Sequence, residues 1–121
     1  MVKIAIAGAA GRMGTTLAQV IHQTEGMRLV GAIEQPDSSM IGADVGEMAG
    51  LGKIDLPISH SIGELLGTID VLIDFSSPHA TASNATNCAN KDVKLVMGTT
   101  GLSKEHLAAV RSASEQIPIC M

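Results

Sequence analysis

Aromatic side chains are almost missing from this chain: its 121 residues include no Trp, no Tyr and a single Phe, Phe75. That removes several classes of partner. Platforms for single-stranded nucleic acid, cages for quaternary ammonium groups and the interfacial belts of membrane proteins all need several rings. Basic charge is also scarce, with 8 Lys and Arg against 12 Asp and Glu and a formal net charge of -4. Without a basic run, there is no footprint for a phosphate backbone. No apolar stretch approaches the roughly 18 residues that a membrane-spanning helix needs. The opening Met-Val-Lys-Ile-Ala-Ile-Ala-Gly lacks the apolar length and cleavage pattern of a secretory signal. Only two cysteines occur, Cys88 and Cys120, far apart and outside any Cys-x-x-Cys spacing. They read as reduced thiols, buried as small hydrophobes. The expectation is a cytoplasmic domain with neither nucleic acid nor membrane as partner.

What is present suits a compact α/β domain. Hydrophobic residues make up 45% and charged residues 17% of the chain, too apolar for intrinsic disorder. The length corresponds to one domain, residues 1–121. Short apolar runs alternate with helical patterns, the mark of parallel βαβ units. Strands are expected over 2–7, 29–33, 71–75 and 93–97, with a further one starting at Ile117. A first helix spans about 13–24, where Met13, Leu17, Val20 and Ile21 recur at helical spacing. Ser77-Pro78 opens a helix to about Asn90, and Ser103 caps one to about Glu115. Ser61-Ile62-Gly63-Glu64 forms a capping box for a short helix. Residues 36–56 have no clear period and read as a long loop with one helical turn. The expected fold is a Rossmann-like, doubly wound parallel sheet in a single domain.

The strongest motif is Gly8-Ala9-Ala10-Gly11-Arg12-Met13-Gly14, directly after a strand and opening a helix. It departs from a strict G-x-G-x-x-G by having Ala10 at the second glycine position. Gly8 permits the tight turn, Gly11 lets backbone approach a pyrophosphate, and Gly14 allows close helix–strand packing. An anion at that helix N-terminus is favoured by roughly 0.3–2 kcal/mol. Glu34 ends the next strand, twenty residues after Gly14, where an acid accepts hydrogen bonds from the adenosine ribose hydroxyls. It would repel a 2′-phosphate, and Gln35 adds no compensating charge, so NADH is favoured and NADPH is possible. Arg12 either reaches a phosphate or simply faces solvent.

Two other strand ends reach the same edge: Asp74-Phe75-Ser76-Ser77-Pro78 and Gly98-Thr99-Thr100-Gly101. Gly98, Thr99 and Thr100 would address a nicotinamide ring and its carboxamide. Ser77 and Ser103 serve either the site or the helices they cap, and Phe75 either the core or the crevice. His22, His60, His79 and His106 are scattered and show no metal-ligand spacing, so surface roles are expected and no metal site is assigned. Met13, Met48 and Met97 read as gap fillers rather than ligands.

Ala-Gly-Ala-Ala-Gly-Arg-Met-Gly (7–14), Glu34, Ile-Asp-Phe-Ser (73–76) and Met-Gly-Thr-Thr-Gly (97–101) together resemble the N-terminal half of bacterial dihydrodipicolinate reductase. The likeness runs through essentially the whole chain in order and spacing. It implies the cofactor half of an NAD(P)H-dependent enzyme that reduces 4-hydroxy-tetrahydrodipicolinate to tetrahydrodipicolinate in diaminopimelate and lysine biosynthesis. By the resemblance, Gly8, Ala9, Ala10, Gly11, Arg12 and Met13 hold the pyrophosphate, Glu34 the ribose, and Gly98, Thr99 and Thr100 the nicotinamide. Members that use NADPH often carry a basic residue after the ribose acid, where Gln35 stands, and some carry one at the position of Ser77. The resemblance also implies a homotetramer and a C-terminal substrate and catalytic domain outside this chain, so no catalytic residue is assigned to it. Without that domain, the expectation is dinucleotide binding and no turnover. Two other readings remain: a non-catalytic dinucleotide-sensing module, and the cofactor domain of another amino-acid-pathway enzyme such as a homoserine or semialdehyde dehydrogenase.

Overall fold

The computed structural model describes residues 1–63 and 65–121. The elements run β1 (Val2–Ala7), α1 (Arg12–Gln23), β2 (Met27–Ile33), α2 (Val45–Met48), β3 (Val71–Asp74), α3 (Pro78–Asn90), β4 (Lys94–Met97), α4 (Lys104–Ser114) and β5 (Ile119–Cys120). The five strands form one parallel sheet in the order β2-β1-β3-β4-β5. From β1 the chain goes to β2 on one side, then crosses to β3 on the other. The winding therefore reverses between β1 and β3, which opens a crevice at their carboxyl ends.

Register sets what emerges there. Ala7 is level with Ile33 on one side and Asp74 on the other, and Asp74 is level with Met97. The next residues, Gly8, Glu34, Phe75 and Gly98, consequently leave the sheet side by side. A parallel sheet must be covered on both faces, and alternation along β1 serves both. Ile4 and Ile6 join Ala18, Ile21, Val45 and Ile58 in the core beneath α1. Ala5 and Ala7 face the other core with Leu72, Ala85, Cys88, Leu95 and Val110.

Several expectations need correction. Met13 and Val20 do not face the core: they are 46% and 52% exposed. The buried stripe of α1 is Gly14, Ala18 and Ile21. Gly14 and Ala18 are small where the helix lies close to the sheet, and Met13 and Val20 lie off that stripe. Cys88 is buried, but Cys120 is exposed, because it lies on the two-residue edge strand β5. The observed β2 begins two residues before the expected strand, at Met27. The loop between β2 and β3 does contain one helical turn, α2, held by backbone bonds such as Val45 N to Leu56 O and Ile58 N to Ala43 O and by one side chain. Asp44 accepts from the backbone N–H groups of Glu47 (3.1 Å), Ile54 (3.0 Å) and Leu56 (2.8 Å). Single bridges pair Asp44 with Pro57 and Ile33 with Ser59. The capping box ending at Glu64 lies outside the described residues. Beside it, Ile62 O accepts from Leu65 N and Leu66 N.

Candidate functional site: a dinucleotide crevice

Gly8 adopts φ +84°, a left-handed backbone that an L side chain rarely takes. A Cβ there would also lie 2.6 Å from Phe75 O. Gly14 is required for packing: its Cβ would overlap Gly8 O and sit 2.8 Å from Ala9 Cα. Gly11 differs from both. It is the exposed N-cap of α1, and a Cβ on it would meet only Gly8 O, at 3.3 Å. Having no side chain, it supplies no capping hydrogen bond to the first turn of α1. The first amides of a helix have no partner within it, so those of Arg12 and Met13 face whatever anion approaches. Arg12 and Met13 are both exposed at that end.

Glu34 joins this loop directly. Its Oε2 accepts from Ala10 N at 2.8 Å, and its Oε1 from Gln35 N at 3.1 Å. The carboxylate thus shows that the glycine loop accommodates an oxyanion on its backbone N–H. Glu34 N donates to Ser59 O (2.8 Å), which holds the end of β2 in place. The Gln35 side chain donates from Nε2 to Ser77 Oγ (3.1 Å), linking the tip of β2 to the start of α3. A cleft of about 120 Å³ lies here, lined by Gly8, Glu34, Pro36, His60, Ile62 and Ala80 among others.

On the other side of the crevice, Phe75 is half-buried and its ring lies on Gly98, where any Cβ would overlap the ring. The lone aromatic residue therefore belongs to the strand-end edge. Thr99 is half-buried; Gly98 and Thr100 are exposed, and all three line a second cleft with Met97, Leu102 and Leu107. Ser77 and Ser103 both act as N-caps, accepting from Ala80 N (3.3 Å) and His106 N (3.2 Å). His106 returns the bond, its Nδ1 accepting from Ser103 N at 3.2 Å. Its ring lies 6.4 Å from that of His79, an adjacency that sequence separation concealed. No cluster of three or more potential metal ligands occurs among the described residues.

Beneath the edge lies a polar network for which motif reading supplied no role. Asp74 is completely buried. Its Oδ1 accepts from Ser76 N (2.8 Å) and from the Ser76 hydroxyl, and its Oδ2 from Asn84 Nδ2 (3.0 Å). Thr81, also completely buried, lies 2.7 Å from Thr99 by their hydroxyl oxygens. Burial, and secondarily the charge on Asp74, push the Cys88 thiol up to about 12. The signal available in the sequence was polar: Thr81 shares the inward face of α3 with Ala85 and Cys88.

A doubly wound parallel sheet, a glycine turn at its switch point and an acid bonded to that turn define a dinucleotide-binding domain of the oxidoreductase kind. Residues 2–121 match the family described as dihydrodipicolinate reductase, N-terminus, and the chain belongs to that family. It is similar to the dipicolinate-bound dihydrodipicolinate reductase of Paenisporosarcina sp. TG-14, with 26% identity and a TM-score of 0.72 over 95% of this chain and 43% of that one. The biliverdin reductase of Synechocystis sp. PCC 6803, solved with biliverdin and NADP+, matches at 15% identity and TM-score 0.69, over 98% of this chain and 37% of its own. Aspartate semialdehyde dehydrogenase II of Vibrio cholerae matches at 14% and 0.65, over 98% and 41%. The last two share the fold. This chain spans less than half the length of each of these three structures. No helix among the described residues is long and apolar enough to cross a membrane.

Proposed function

We propose that this chain is the nicotinamide-dinucleotide-binding half of a cytoplasmic reductase that converts 4-hydroxy-tetrahydrodipicolinate to tetrahydrodipicolinate. The observation that supports the reading is the Glu34–Ala10 bond, which ties a carboxylate at the end of β2 to the glycine loop. Gly8, Ala9, Ala10, Gly11, Arg12 and Met13 form the loop that receives the pyrophosphate, on the free N–H groups of Arg12 and Met13. Those of Gly8, Ala9, Ala10 and Gly11 are bonded to Ile33 O, Ile33 O, Glu34 and Gly8 O. Arg12 is the one basic side chain in the loop. Glu34 keeps lone pairs free for the adenosine ribose hydroxyls. Gly98, Thr99 and Thr100 meet the nicotinamide end. When bound, the dinucleotide supplies a hydride; this chain's residues orient it and present one face of its ring. Turnover also requires a substrate held beside that ring, and no general acid is assigned within these residues.

NADH is the preferred form. A 2′-phosphate would lie against the Glu34 carboxylate, and Gln35 is uncharged and turned toward Ser77. Calorimetry with NADH and NADPH at fixed salt tests this. The wild-type chain should bind NADH more tightly. Glu34→Ala should weaken NADH about ten- to hundredfold, as expected for hydrogen bonds to a charged group, and narrow the gap between the cofactors. Unchanged affinity for both would remove the ribose role.

A further inference from the structure

We propose that Asn84 selects the base of the dinucleotide: its side-chain oxygen, turned into the cleft beside Glu34, accepts from the 6-amino group of adenine and disfavours a 6-oxopurine. The inference rests on the dinucleotide reading above. It adds a specificity-determining residue and, behind it, a positioning residue, Asp74.

The place of the base follows from the ribose acid. Glu34 lines the cleft of about 120 Å³, so a ribose on its carboxylate brings the attached base to that cleft. The volume is well below the roughly 300–1,000 Å³ of a pocket for a whole ligand, and it suits a single ring system. Ile33, Ile62 and Ala80 supply apolar walls. Asn84 lies one turn beyond Ala80 on α3, so the two share a helix face, and both line the cleft.

The direction of the Asn84 amide follows from its partner. An ionised carboxylate only accepts. Asp74 Oδ2 therefore takes the nitrogen of Asn84, at 3.0 Å, and the amide oxygen is turned elsewhere. The opposite flip would set oxygen against oxygen at a completely buried residue. Asp74 is itself fixed, because its Oδ1 holds both the N–H and the hydroxyl of Ser76. Asn84 Oδ1 has no hydrogen-bond partner among the described residues, yet no buried side-chain oxygen or nitrogen is left unpaired there. The oxygen is therefore open to solvent, and the cleft is the opening that Asn84 lines. Other fixed polar groups of the lining agree: Glu34 only accepts, and the Ser76 hydroxyl has committed its proton to Asp74. Gln35 and His60, both exposed, can each present a donor or an acceptor and so choose nothing. A base entering here has to bring a donor. Once its N9 carries the ribose, adenine has one such group, the 6-amino; hypoxanthine places an oxygen at that position.

The test is calorimetry of the 121-residue chain with NAD and with nicotinamide hypoxanthine dinucleotide, which has a 6-oxygen in place of the amino group. Wild type should bind NAD about five- to fiftyfold more tightly, the effect of setting an acceptor against an acceptor. Asn84→Ala should bring that ratio to about one. Asp74→Asn should invert it. The N–H of Ser76 still takes the side-chain oxygen at position 74, so the new amide nitrogen faces Asn84, whose own amide turns round and presents N–H to the cleft. A merely structural role for Asp74 would weaken both ligands alike and leave the ratio unmoved. If Asp74→Asn does not fold, side-chain amide exchange in wild type decides the point: one Asn84 proton, held by Asp74, should exchange slowly. Equal binding of the two dinucleotides by wild type, or tighter binding of the hypoxanthine form, would overturn the inference while leaving the dinucleotide reading intact. A preference for NAD retained in Asn84→Ala would also overturn it. An unmoved ratio in Asp74→Asn, or fast exchange of both Asn84 protons, would overturn the part given to Asp74. No binding of either dinucleotide by wild type would overturn the dinucleotide reading, and this inference with it.

Discussion

The three glycines of the loop between β1 and α1 are not interchangeable, and their surroundings predict different failures. A methyl group at Gly14 would be forced into Gly8 O and Ala9, all backbone that cannot swing aside. Gly14→Ala should therefore destabilise the fold by about 1–3 kcal/mol, the usual cost of overpacking, seen as a lower denaturant midpoint at unchanged slope. Gly11→Ala meets only one backbone oxygen and otherwise faces the crevice. It should leave the midpoint within about 0.5 kcal/mol but weaken dinucleotide binding. An equal loss of stability in the two variants would show that Gly11 is also a packing residue. The roles of Gly8 and Gly14 were legible from the spacing, because a tight turn and a helix contact each exclude a side chain. Asp74 was less legible. Its partners Ser76 and Asn84 reach it only when α3 packs beside β3, and nothing local to Asp74 announces them.

Among the elements, strands and long helices were readable because their cores impose a period, whereas the segment between β2 and β3 follows no period. Beside its backbone bonds, it is held by Asp44, an acceptor for three backbone N–H groups from 3 to 12 residues downstream. Those bonds, with Ile54 N–H the largest contributor, hold the Asp44 carboxyl below its ordinary value against the opposing effect of burial. The folded chain thus prefers the ionised form more than the unfolded chain does. This contribution to stability is present above the unfolded value of about 4 and is lost as pH falls through the lower folded value. Amide exchange at Ile54 and Leu56 should therefore accelerate selectively on acidification, relative to exchange in the sheet. Asp44→Asn should give fast exchange at neutral pH and abolish that acid dependence. An unchanged rate in the variant would mean that Pro57 and the neighbouring bridge hold the loop without Asp44.

At the level of the whole molecule, the two thiols report on global folding. Cys120 is exposed, whereas Cys88 is completely buried with its thiol pushed up to about 12. A thiol reagent under native conditions should consume one equivalent quickly and the second only at the rate of unfolding. Two fast equivalents would show that the core beneath α3 opens locally. Because the folded thiol holds its proton more tightly than the unfolded one, stability should also decline as pH rises above about 9. The fold class was readable from the order of elements, but the different fates of the two cysteines depended on where an edge strand ends. The same topology also affects synthesis. β1 leaves the ribosome before β2 and β3, yet its second neighbour is β3, with Ile4 paired to Val71. Translation at about 5–20 residues per second leaves one flank of β1 unpaired for several seconds after β2 emerges. During that interval the nascent chain carries an apolar strand with one bare edge, and the crevice that later takes the dinucleotide has only one wall.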